Sequence, residues 1–109
     1  MQDENITPGK IGLIKLWNQK EVDFRLMYAF KNQLYASPLL SPENRIPVSE
    51  FVRLRSQHDH YSIRNRLSGT EDIIIQEIQD PDTGLLDLNQ FSDLVDLFMF
   101  LPNTEKVND

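Results

Sequence analysis

The 109-residue chain contains no cysteine, so disulfides, thiolate metal sites and a thiol nucleophile are all excluded. Glycine is scarce, with four in all, and no glycine-rich phosphate loop can be assembled from them. The only histidines are His58 and His60. A metal centre needs three or four ligands, so this pair supplies at most half of one. No serine or threonine stands in a nucleophile motif. The longest apolar run, Leu97 to Leu101, is far too short to cross a bilayer. These absences lead us to expect no cofactor, no metal, no membrane partner and no enzymatic activity. The polar, acidic start MQDENITPGK is the opposite of a secretory or mitochondrial leader, and a cytoplasmic protein is the expectation.

What is present suits a packed fold. The apolar fraction is 39%, and ten aromatic residues include Trp17. A chain of this length builds one apolar core, so a single domain over 1–109 is predicted, with polar tails at 1–8 and 102–109. Charge is unevenly spread. From Arg45 to Gly69 five arginines oppose Glu50 and Asp59, a local net of +3; from Thr70 onward ten acids oppose Lys106, a local net of −9. Such asymmetry points to a charged partner, while the overall −6 argues against non-specific affinity for nucleic acid or membrane.

Thr7 followed by Pro8 suits the start of a helix. Residues 11–17 fit a strand or a helix equally, and in 22–35 the second half favours helix. Pro38, Pro42 and Pro47 make 37–47 a loop, since each removes a backbone donor and restricts the preceding residue. The β-branched run at 72–78, the turn Gln79-Asp-Pro-Asp-Thr-Gly84 and the apolar residues at 85–88 predict a β-hairpin. Asp87 or Asn89 then caps a helix whose buried face is Phe91, Leu94, Val95 and Phe98, ending at Pro102.

The stretch from Ser49 to Leu67 supports two models. Two strands turning at 56–59 gather Arg53, Arg55, Arg64 and Arg66 on one face of an antiparallel meander. Two helices, with Ser49 and Asp59 as caps, give helix, turn, helix, hairpin and helix, which resembles a winged helix-turn-helix. A helix sets Arg53 and Arg55 about 200° apart around its axis. The sheet model is preferred, and the fold class is α+β in either case.

Asp80, Asp82, Gly84 and Asp87 resemble part of a calcium-binding EF-hand loop. With Gln90 in the twelfth position, however, Pro81 and Thr83 stand where two acidic ligands belong, so a plain turn is predicted. The expected function is a non-catalytic accessory or regulatory domain that binds a protein partner. Its binding residues are Arg53, Arg55, Arg64 and Arg66, with Leu97 and Phe100 on the over-apolar last helix. A homodimer contact is the other use for that apolar end. The alternative is a nucleic-acid-binding regulator, in which acids at the wing tip would meet phosphate.

Overall fold

A computed structural model of the chain describes residues 7–100, with the side chains of Arg66 and Ser68 outside the described set. Residues 1–6 and the whole of the expected C-terminal tail, 102–109, with the stop at Pro102, also lie outside it. The elements run α1 (Pro8–Gln19), α2 (Phe24–Tyr35), β1 (Arg45–Ile46), α3 (Val48–Gln57), α4 (Glu71–Ile78), β2 (Leu86–Asp87) and α5 (Leu88–Phe100). Between α3 and α4 the chain forms a π-helical turn, Ser62–Arg66, and a 3-10 turn, Leu67–Thr70. Among the described residues the fold is thus mostly helical, with one two-stranded antiparallel ladder, Arg45 against Asp87 and Ile46 against Leu86.

Local chemistry accounts for the first two helices. Thr7 Oγ1 accepts the Lys10 N–H and Pro8 opens α1; Asp23 Oδ1 accepts the Arg25 N–H and opens α2. Leu13, Ile14 and Trp17 on α1, and Met27, Phe30 and Leu34 on α2, then fall at helical spacing and are buried. The proline-bearing segment after α2 is irregular as far as Asn44, but the loop expected over 37–47 is interrupted by β1 at Arg45–Ile46, whose residues find a ladder partner in β2.

The predicted hairpin forms only at its tip. Gly84 adopts φ +76°, its N–H reaches the Asp80 carbonyl, and Gln79 bridges Leu86. The run at 72–78 is not a strand but the body of α4. A helix there buries Ile74 and Ile78 one turn apart and packs Ile73 and Ile75 at the edges of the core. Burying one such side chain stabilises by about 1.5–3 kcal/mol. The helix penalty of a β-branched residue is only a few tenths of that scale. Burial therefore wins.

The preferred meander over 49–67 is likewise corrected to helix. A strand would have turned Phe51 outward with the arginines. In α3, Phe51 and Leu54 share a buried face with Glu50. Pro47, not Ser49, precedes the helix, and His60 Nδ1 rather than Asp59 accepts the N–H of Ser62 at the next turn. Without an extended hairpin or a strand-paired wing, the winged-helix alternative loses its defining element.

Phe30, Phe51 and Phe91 meet at the centre with ring centroids 5.7–6.1 Å apart. Trp17 meets Phe98 edge-on at 5.2 Å, and its indole N–H donates to the buried Thr70 Oγ1 at 3.0 Å. Helix α5 runs along α2, from the Tyr35 hydroxyl on the Leu88 carbonyl at one end to Phe24 against Phe98 at the other. Among the described residues no helix is long and apolar enough to cross a membrane.

Candidate functional site

Arg53, Arg55 and Arg64 do not line one shared face. Arg53 grips Glu50 with Nε on Oε1 and Nη2 on Oε2, both at 2.9 Å, and adds a bond from Nη1 to Gln57. Arg55 pairs with Glu71 at the start of α4 and donates to the Arg64 carbonyl at 2.7 Å. Arg64 donates from Nη1 to the carbonyls of His58 and Asp59, both at 2.6 Å, closing the bend after α3. Arg66 sits in the same π-helical turn, and its side chain is outside the described set. Arg55 and Arg64 thus tie α3, the bend and α4 together, while Arg53 bonds within α3.

The histidines also serve the bend. His58 Nδ1 accepts the His60 N–H, and His60 Nδ1 accepts the Ser62 N–H, each at 3.1 Å. Burial against Phe30, whose ring lies edge-on at 5.8 Å, pushes the His58 pKa below its ordinary value.

Two loops on either side of the ladder share one construction. Residues 39–50 lead from α2 into α3, and 79–90 lead from α4 into α5. At the sixth position of each stands a left-handed residue, Asn44 at φ +64° and Gly84 at φ +76°. The eighth residues, Ile46 and Leu86, pair across the ladder and are buried. This layout resembles a pair of EF-hands, in which twelve-residue loops between helices hold calcium with oxygens at positions 1, 3, 5, 7, 9 and 12.

The residues present do not fit that ion. In the first loop Leu39 and Pro47 stand at positions 1 and 9; in the second, Pro81 stands at position 3 and the neutral Gln90 at 12. The carbonyls of the seventh residues are already engaged, Arg45 O by the Ser41 N–H at 2.9 Å and Leu85 O by the Asp80 N–H at 2.8 Å. Among the described residues no three acidic or histidine side chains are placed to hold a metal ion.

The remaining candidate surface is the end of α5. Leu97 is half-buried and packs on the core, whereas Phe100 is 72% exposed and Met99 41%. Leu101 lies outside the described residues. Near the start of α2, Tyr28 is 46% exposed and touches Phe24, which in turn touches Phe98. A line of rings therefore leads from Trp17 in the core to the surface. The outward face of α5 carries Asp93, Asp96 and Phe100 at helical spacing.

Sequence reasoning missed Tyr28 and the role of Glu50. It also missed a repeat at a spacing of forty residues. Asn44, Ile46, Val48, Glu50, Phe51 and Leu54 correspond to Gly84, Leu86, Leu88, Gln90, Phe91 and Leu94. That alignment was available in the letters and predicts the paired loops. No protein-family model, curated protein or solved structure matches the chain.

Proposed function

We propose that this protein is a non-catalytic binding module that receives an apolar segment of a protein partner on the C-terminal turn of α5. The reading rests on the exposure of Phe100 and Met99 at the end of a helix whose opposite face is core. Isolated surface apolar residues need no explanation, but phenylalanine and methionine together are enriched in the cores of protein interfaces. Asp93 and Asp96 share the outward face with Phe100, so the matching segment carries lysine or arginine beside its apolar residues. Arg53, Arg55 and Arg64 enter this reading as scaffold, because each donates to acceptors of the same chain.

The test is co-purification from the native host, followed by reconstitution of the recovered complex from purified components. Phe100→Asp is expected to weaken that complex at least about tenfold while leaving the melting temperature unchanged. Asp93→Lys with Asp96→Lys is expected to slow association and flatten its salt dependence. A reconstituted complex indifferent to Phe100→Asp and Met99→Asp would refute this surface as the site.

A further inference from the structure

Each of the two paired loops presents a carboxylate that needs a positive partner, and in each case a guanidinium group provides it. We infer that Arg53 and Arg45 take the place of divalent cations as organisers of this loop pair, so that the fold does not depend on calcium or magnesium.

Glu50 ends the first loop, at the position where an EF-hand carboxylate embraces the ion with both oxygens. Here the Arg53 fork covers both oxygens, and Ser37 Oγ adds a third bond to Oε2 at 2.7 Å. Glu50 is only 4% exposed while Arg53 is half exposed, so the carboxylate is covered by a bidentate guanidinium that faces solvent on its other side. Ser37 stands just after α2 and Arg53 is on α3. The three-residue cluster therefore joins the entering helix to the exiting one, which is the mechanical task of the ion in a calcium loop.

The second loop is tied from outside. Asp80 Oδ1 accepts the Asp82 N–H at 3.2 Å, while Oδ2 accepts Thr83 Oγ1 at 2.9 Å and faces Arg45 Nη1 at 3.4 Å. Arg45 belongs to β1, opposite Asp87 of β2, so this ion pair crosses from the first loop to the second. Its Nε is buried with no acceptor among the described residues, which leaves the contact to Asp80 as the feature that places the side chain. A cation entering either loop would have to break these pairs and then find ligands at Leu39, Pro47 or Pro81.

Thermal unfolding of the full chain in EDTA, in calcium chloride and in magnesium chloride tests the first half of the inference. The melting temperature is expected to agree within about 1 °C across all three. A site with a dissociation constant near 10 μM would raise it by about 10–20 °C at 1 mM ion, and such a rise overturns the inference. A double-mutant cycle tests the second half. Arg53→Met is expected to lower the melting temperature by about 2–8 °C, because Glu50 loses the guanidinium that covers both its oxygens. In a Glu50→Gln background the same substitution is expected to cost much less, giving a folded double variant. An unchanged melting temperature for Arg53→Met, or a double variant no more stable than the single one, overturns the assignment.

Discussion

At the scale of single residues, the buried polar contacts do more than the surface ion pairs. Trp17 is fully enclosed, and its indole N–H has Thr70 Oγ1 as acceptor; that hydroxyl in turn donates to the Leu67 carbonyl at 2.9 Å. Thr70→Val conserves shape but removes the acceptor, leaving a buried donor unpaired at a cost of about 1–3 kcal/mol. Urea unfolding monitored by tryptophan fluorescence should show that loss as a lower midpoint with unchanged slope. By contrast, the Asp23–Arg25 pair is well exposed, and its removal should be felt mainly through the loss of the Asp23 cap on α2.

At the scale of elements, several helix starts and the turn at Gly84 follow the letters, whereas the starts read at Ser49 and Asp59 and the interiors of α3 and α4 do not. Thr7, Asp23 and Asp87 each place a side-chain oxygen on the amide of the turn that follows. Asp87 serves β2 and α5 together, since its backbone faces Arg45 while its carboxylate accepts the Asn89 N–H at 3.0 Å. Asp87→Ala should therefore cost about 0.5–2 kcal/mol. Hydrogen exchange should show it as faster exchange confined to the first turn of α5. The isoleucines of α4 and the alternating Val-Arg-Leu-Arg of α3 show where local pattern misleads. Both have strand-like texture, and both become helices because that conformation buries Ile74, Ile78, Phe51 and Leu54 against partners from other elements. A residue's preference for strand is worth less than the water-free contact area it gains in the core.

At the scale of the whole molecule, pH should act first through the bend between α3 and α4. The folded pKa of His58 lies below its ordinary value of 6.5, chiefly through burial, with Asp59 opposing and His60 and Arg64 reinforcing that shift. The unfolded chain therefore binds a proton more readily than the folded one below about pH 6.5. The stability is complete above that pH and is lost as pH falls from there toward the folded pKa. Protonation also removes the Nδ1 acceptor used by the His60 N–H. The urea midpoint should drop between pH 7.5 and 5.5, and His58→Asn, which keeps an acceptor but does not titrate, should flatten that dependence. A second loss should come at lower pH. Asp23, Glu50 and Asp80 are held below their ordinary values, chiefly by Arg25, Arg53 and the Asp82 N–H respectively. Their contribution is complete above the unfolded carboxylate range and disappears as pH falls through the depressed values.

Some features are decided by short-range chemistry and were therefore readable from the letters. The caps at Thr7 and Asp87, the proline-bearing loop, the left-handed turn at Gly84 and the buried stripe of α5 depend on residues within one or two turns of each other. The forty-residue repeat was readable too, because it requires only comparison of the chain with itself. Other features depend on which distant surfaces meet. Arg53, Arg55 and Arg64 could be read as a platform only while the carboxylates and carbonyls that accept from them were out of sight. Glu71 lies sixteen residues from Arg55, and only the close approach of α3 and α4 makes the pair. The same holds for Arg45 and Asp80, which the ladder brings together. A charge pattern states how many partners a chain needs; the folded core determines where in the molecule they are found, because apolar burial sets the helix positions and the ion pairs follow.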